Sequence, residues 1–198
     1  MSTFNDFIWI KENSVSSKFC EDAIEKFEKS EDKVQGHVGQ STTKSPSLDL
    51  NIKRSLDLYI SDKFDWCQIT DHFYYVLSDG IKSYFDMLRD KGFENTGFGS
   101  EQKIVDGGYQ IQKTEPGEFY KWHNDFSLVR NNARVLTYIW YLNNVDEGGE
   151  TEFVDGTLIK PEQGKLMLFP ATWTYIHQGR PPISNTKYIC TGWIYFEY

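Results

Sequence analysis

The chain is poor in cysteine and has no long apolar run, no basic cluster and no repeat, and each lack closes off a class of protein. Its three cysteines, Cys20, Cys67 and Cys190, are odd in number and lack metal-ligand spacing. That argues against a disulfide framework or a structural zinc site and for reduced, partly buried thiols. No stretch approaches the roughly 20 apolar residues of a membrane span, and Met1 to Lys11 has neither a basic start nor a long apolar core. A cytoplasmic protein with no membrane partner is expected. No run of lysine and arginine offsets the net charge of −8, so nothing favours a nucleic-acid partner. Without repeats or low-complexity segments, function must reside in individual residues.

What is present suits one compact domain over residues 1–198, with 39% hydrophobic and 16% aromatic residues to build a core. The first hundred residues read as mainly helical support. Ser16 or Ser17 caps a helix carrying Phe19, Ala23, Ile24 and Phe27. A longer helix from about Asp65 to Lys91 places Ile69, Phe73, Leu77, Ile81, Tyr84, Phe85 and Leu88 on one stripe, with Gly92 as its stop. Between them, Gly36 to Asp49 is rich in Gly, Ser, Thr and Lys and reads as a surface loop or hairpin. From Lys103 onward the pattern changes to short segments rich in β-branched and aromatic residues. Strands are expected near 104–114, 119–125, 134–143, 150–154, 165–169, 174–178 and 186–197. Helices first and then many short strands give an α+β fold, with helices packed on a sandwich or jelly roll over residues 101–198.

Among the titratable residues, His123 and Asp125 stand two apart, and alternate side chains of an extended strand share a face. His177 lies on a later strand that a jelly roll can bring beside them. Two imidazoles and one carboxylate on one face of an octahedral ion leave open positions suited to non-haem iron(II). Taken alone the pattern is weak, and hydrogen-bonded structural histidines are the better account of it. His37 and His72 lack such neighbours and read as solvent-facing or structural. Ten residues past His177, Lys187 shares a strand face with Ile189, Thr191 and Trp193. A buried lysine needs an anionic partner, which a dicarboxylate supplies, although an edge-strand surface lysine fits the same pattern.

The motifs then accumulate in a recognisable order. Glu115-Pro116-Gly117-Glu118-Phe119-Tyr120 leads into His123-Asn124-Asp125, and Arg134-Val135-Leu136-Thr137 opens a strand ending Tyr141-Leu142-Asn143. Gly148-Gly149-Glu150-Thr151-Glu152-Phe153 and Gly164-Lys165-Leu166-Met167-Leu168-Phe169-Pro170 follow, then His177 with Pro181 and Pro182 after it, and Lys187 through Trp193. From about Gly108 to Tyr195 the chain resembles the prolyl 4-hydroxylase branch of the iron(II)/2-oxoglutarate dioxygenases. The resemblance implies a double-stranded β-helix, a form of jelly roll. It implies His123, Asp125 and His177 as iron ligands, and Lys187, Tyr141 and Thr191 around the distal carboxylate of 2-oxoglutarate. Tyr120, Arg134 and Trp193 would surround the target ring, and dioxygen would be the oxidant with ascorbate in support.

The implied reaction hydroxylates proline in a protein or peptide, giving hydroxyproline, succinate and carbon dioxide. Hydroxylation of another side chain or of a free amino acid is the alternative, and a non-catalytic jelly-roll binding module a more distant one. Asp125 argues against a halogenase, in which the carboxylate ligand is missing. Lys187 and the acidic composition argue against a nucleic-acid demethylase. The chain departs from its relatives at Thr114, where they usually carry tyrosine; Gln112 shares the parity of Thr114 and is the candidate replacement. Arg134 and Tyr141 have opposite parity, so both serve one pocket only if a bulge or strong twist intervenes.

Overall fold

Ser16 begins the first helix by accepting a hydrogen bond from the Phe19 amide at 3.2 Å, which satisfies an otherwise orphaned donor of the first turn. The computed structural model describes residues 4–39, 47–93, 103–129 and 132–197. Helix α1 (Ser17–Lys29) buries Cys20, Ala23 and Phe27. Its end is held by Lys33, whose ammonium donates to the carbonyls of Phe27, Glu28 and Ser30, a favourable charge for a helix C-terminus. A single 3-10 turn, Phe64–Trp66, runs into α2 (Cys67–Asp90), which buries Phe73, Leu77, Gly80, Tyr84 and Leu88 along the expected stripe. Gly92 follows with φ +78°, a conformation that glycine adopts without steric cost.

Among the described residues thirteen strands complete the fold. They are β1 (Trp9–Lys11), β2 (Val34–Gln35), β3 (Leu56–Tyr59), β4 (Lys103–Asp106), β5 (Gln110–Thr114), β6 (Tyr120–His123), β7 (Leu128–Val129), β8 (Asn132–Tyr141), β9 (Thr151–Phe153), β10 (Leu158–Ile159), β11 (Leu166–Pro170), β12 (His177–Gly179) and β13 (Lys187–Glu197). The main sheet runs β1-β11-β8-β13-β5-β3-β2, with β4 also on β13 and β7 on β8; the smaller sheet runs β10-β9-β12-β6. Every pairing is antiparallel. This is the expected α+β jelly roll with helices on one side.

The main sheet is buried on both faces, so its central strands lack a polar edge to their pattern. Leu136, Tyr138 and Trp140 of β8 face the helices with Phe73, Leu77 and Tyr84. Ile139 and Tyr141 face the smaller sheet with Phe153 and Phe169. The site therefore sits between two sheets, one of which is stiffened from behind by α1 and α2.

Three differences from the expected elements have physical causes. The strand expected over 104–114 is divided at Gly107-Gly108: a Cβ on Gly107 would lie 2.4 Å from the Tyr195 ring, and Gly108 has φ +89°. The first hundred residues are not only helical, since β1, β2 and β3 join the main sheet. Their segments are too short and too polar for a hydrophobic period to register. The expected hairpin over 36–49 is seen in the antiparallel bridge Val38 to Ser47, while its residues 40–46 lie outside the described residues. The three cysteines are free, with Cys20 and Cys190 buried and Cys67 exposed.

Candidate active site

Strand pairing brings His123 and His177 together, since they are direct partners across β6 and β12, with ring centroids 4.3 Å apart. Asp125, two residues beyond His123, is held by the Thr137 hydroxyl of β8, which donates to Oδ2 at 2.8 Å. Its two oxygens lie 3.8 Å from His123 Nε2 and 3.7 Å from His177 Nε2. One donor atom from each residue falls within 4.8 Å of the others.

Each imidazole is oriented from behind. His123 Nδ1 lies 2.8 Å from the Lys121 carbonyl and His177 Nδ1 3.0 Å from the Tyr175 carbonyl. A carbonyl only accepts, so Nδ1 carries the proton and Nε2 turns a lone pair inward, the arrangement of a metal-ligating histidine. Burial and the neighbouring His177 hold the His123 pKa well below its usual value, which keeps that ring neutral. Burial opposes the charge on Asp125, yet His177, His123 and the Thr137 hydroxyl together hold its carboxyl below the usual carboxylate range. Each Nε2 lies 3.7–3.8 Å from one of the two Asp125 oxygens, inside the roughly 4.2 Å that two donors each about 2.1 Å from one ion can span, and the three-donor set as a whole falls within 4.8 Å. The donor set suits iron(II).

Beyond the triad a cavity of about 70 Å³ reaches Lys187; a single water needs roughly 10–15 Å³ on the same measure, so the space suits a small ligand. Lys187 is 5% exposed. Its ammonium donates to the Gly149 carbonyl at 3.0 Å, and no carboxylate oxygen lies within salt-bridge distance among the described residues. Burial draws its pKa down to about 8, with Glu150 opposing. A buried cation with no close anionic partner is the complement of a carboxylate ligand.

Residues 109–195 match the model of the 2OG-Fe(II) oxygenase superfamily. The match covers somewhat under half of the chain. Among its relatives, a PKHD-type hydroxylase of Synechococcus is 31% identical over 90 residues, covering 42% of this chain and 40% of the relative. Prolyl 4-hydroxylase 1 of Arabidopsis thaliana is 32% identical over 114 residues, covering 43% and 39%. The chain thus spans about two fifths of the length of these curated relatives. Two solved structures share the fold: a viral collagen prolyl hydroxylase of Paramecium Bursaria Chlorella virus-1 in a 2OG complex, and a Trichoplax adhaerens prolyl hydroxylase with a hypoxia inducible factor peptide. The first has a TM-score of 0.68 at 20% identity and covers 96% of each chain. The second has a TM-score of 0.69 at 17% identity and covers 96% of this chain and 83% of the other. In this chain the His123–Asp125–His177 cluster and the buried Lys187 line one cavity.

Within this fold the remaining expected residues take distinct places. Thr191 lines the cavity but donates its hydroxyl proton to the Tyr138 carbonyl. Tyr141 stands one layer back: its hydroxyl pairs at 2.6 Å with that of Thr151, and Thr151 is the one that lines the cavity. Thr114 and Gln112 both line it, as their shared parity requires. A wider groove of about 740 Å³ adjoins the cavity, and Lys53, Gln112, Tyr120, Asp125 and Trp193 border both.

Arg134 enters that groove because pairing of β8 with β13 shifts between Ile194 and Tyr195, which places Arg134 opposite Tyr195 and leaves Val135 unpaired. The bulge reverses its parity. The guanidinium then lies 3.6 Å from the Trp193 ring centroid, and its Nε donates to the Tyr195 hydroxyl at 2.9 Å. Tyr120 stacks on His123 at 3.5 Å. His37 is an exposed residue on the groove rim, and His72 packs on Phe19 at 4.3 Å.

Sequence reasoning missed Lys53, Ser55 and Asp57, which β3 and its approach carry into the site. Lys53 and Asp57 pair at 2.6 Å while 4% and 1% exposed. In sequence they resemble a solvated surface stretch; their spacing at i, i+2, i+4 was the only sign that they share a face.

Proposed function

We propose that this chain is an iron(II)- and 2-oxoglutarate-dependent dioxygenase that hydroxylates a prolyl residue of a protein or peptide. The observation that carries the reading is the pairing, in one cavity, of the His123–Asp125–His177 cluster with a buried lysine that has no carboxylate partner. The overall reaction would take prolyl, 2-oxoglutarate and dioxygen to hydroxyprolyl, succinate and carbon dioxide, with ascorbate in support. Iron(II), with 2-oxoglutarate and dioxygen, supplies when bound the oxidising chemistry that protein side chains lack.

The chain's own residues bind, orient and exclude water. His123 and His177 offer lone pairs aimed by backbone carbonyls, and Asp125, fixed by Thr137, contributes the negative charge. Lys187 meets the distal carboxylate, with Thr191 and the Tyr141–Thr151 pair forming the polar wall around it. The adjoining groove favours a peptide over a free amino acid, because it is about ten times as roomy as the cavity. Tyr120 and Trp193 offer aromatic faces to a pyrrolidine ring, and Arg134, stacked on Trp193, presents donors to a peptide carbonyl.

The test is a mass-shift screen of proline-containing peptides and cell lysate with the protein, iron(II), 2-oxoglutarate and ascorbate. Additions of one oxygen mapping to proline are expected. Arg134→Ala and Trp193→Ala should each lower peptide hydroxylation much more than substrate-independent turnover of 2-oxoglutarate. Additions that map consistently elsewhere sink the prolyl assignment alone, and an absence of succinate sinks the oxygenase reading.

A further inference from the structure

The buried Lys53–Asp57 pair has no part in the reading above. Taking two charges out of water is costly, and a well-packed apolar pair often serves stability as well or better. Its placement suggests another use. The segment carrying Lys53 lies along β6: Lys53 bridges to Tyr120, the Lys121 amide donates to the Ile52 carbonyl at 2.9 Å, and the Arg54 amide to the Phe119 carbonyl at 2.8 Å. On the other side, β3 sets Asp57 directly opposite Gln112 of β5.

From Asp57 a chain of hydrogen bonds leads back to the cavity. Ser55 Oγ donates to Oδ1 at 2.7 Å, and Lys53 Nζ and Gln110 Nε2 donate to Oδ2 at 2.6 and 3.3 Å. Gln112 Nε2 then donates to Gln110 Oε1 at 3.1 Å. The direction is dictated chemically. A carboxylate paired with an ammonium only accepts, so Gln110 must turn its NH₂ towards Asp57 and its carbonyl towards Gln112. Gln112 must in turn present its own NH₂. One N–H of that group is used by Gln110, and the other has no partner among the described residues.

We propose that Lys53, Asp57, Gln110 and Gln112 form a relay of fixed direction whose working end is Gln112, a co-substrate-binding residue that donates its free N–H to a carboxylate of 2-oxoglutarate. The inference rests on the oxygenase reading. Of the cavity's hydroxyls, Thr191 donates to the Tyr138 carbonyl, Ser55 donates to Asp57, and Thr151 pairs with Tyr141. Gln112 borders the same cavity as Lys187, and a dicarboxylate offers acceptors only. Asp57, Lys53 and Gln110 are positioning residues in this scheme.

The test measures 2-oxoglutarate binding by calorimetry on the whole chain loaded with manganese(II), so that no turnover intervenes. Gln112→Leu should weaken it by about tenfold, the loss of one hydrogen bond to a charged group. Gln112→Glu, nearly the same shape, should weaken it more, because an anion would then face an anion. Gln110→Leu, which disconnects Gln112 from Asp57, should give an intermediate loss. Manganese(II) affinity measured without 2-oxoglutarate should stay within about twofold in all three. A wild-type chain that binds manganese(II) but not 2-oxoglutarate overturns the oxygenase reading and the relay with it. Wild-type binding that neither Gln112 variant weakens overturns the relay alone. So does an equal loss of metal and 2-oxoglutarate affinity, or failure of the Gln112 variants to fold, since each marks a merely structural role.

Discussion

At the scale of single residues, the site depends on groups whose partners are supplied by the backbone. His177 is fixed by the Tyr175 carbonyl and packed between Phe153 and Phe169. His177→Ala should reduce iron(II) affinity by at least about a hundredfold, in line with the cost of disrupting a ligand set, with the fold retained; calorimetric titration and far-UV dichroism check both parts. Lys187 gives a second prediction, with a sign. Burial lowers its pKa from 10.5 to about 8, below the unfolded value, so the unfolded chain holds this proton more tightly and the ligand-free protein gains stability as pH rises from about 8 towards 10.5. At pH 7 the buried charge is a penalty on the order of 3 kcal/mol. Lys187→Met should therefore stabilise the ligand-free chain in urea by about 1–3 kcal/mol while sharply weakening 2-oxoglutarate binding. Wild-type 2-oxoglutarate affinity should fall as pH rises above 8, and that fall should vanish in the variant. The triad and Lys187 are legible in sequence because their order and spacing survive in the folded register. Lys53 and Asp57 are not, because a buried ion pair and a solvated one are spelled alike.

At the scale of elements, the two helices and six of the seven expected strands lie where period and propensity place them, within a few residues, and the seventh, 104–114, is divided in two. What the sequence pattern does not reveal is pairing. A three-residue strand such as β1 has no period to detect, yet it pairs with β11 through Trp9 and Leu168. The bulge at Val135 is equally silent, and only the need to bring Arg134 and Tyr141 to one pocket hints at it. Helix α2 offers a test of how tightly this layer is set. Gly80 faces β11, and a Cβ there would lie 3.1 Å from Leu166 Cδ2, 3.5 Å from the Trp9 ring and 3.6 Å from Leu168 Cδ1. Alanine gains roughly 0.8–1 kcal/mol of helix propensity and needs only a slight shift of a flexible leucine, so Gly80→Ala should be close to neutral. Gly80→Leu should lose about 1–3 kcal/mol from overpacking, read as a lower urea midpoint. Equal stability of the two variants would mean that the helix is free to move off the sheet.

At the scale of the molecule, the family-matched residues 109–195 are not the whole of the folding unit. The helix-facing side of the main sheet carries Leu136, Tyr138, Trp140, Leu166, Leu168 and Ile194, and these pack in one cluster with Phe27, Phe73, Leu77, Tyr84 and Leu88 from the first hundred residues. β3 contributes a neighbour to β5, and the approach to it contributes Lys53 to the cavity wall. Without that half, six large side chains would face water, each forgoing roughly 1.5–3 kcal/mol of burial. Typical domain stability is only about 5–15 kcal/mol, so the deficit is decisive. A fragment of residues 103–198 should therefore lack a cooperative urea transition and near-UV dichroism, bind a hydrophobic dye, and show no manganese(II)-dependent protection from proteolysis, although it contains all three candidate ligands. A cooperative transition in that fragment would show that the helical layer is an accessory to the jelly roll. In that case the relay through Asp57 would be an attachment to a site already complete, and the fragment should bind 2-oxoglutarate as tightly as the full chain.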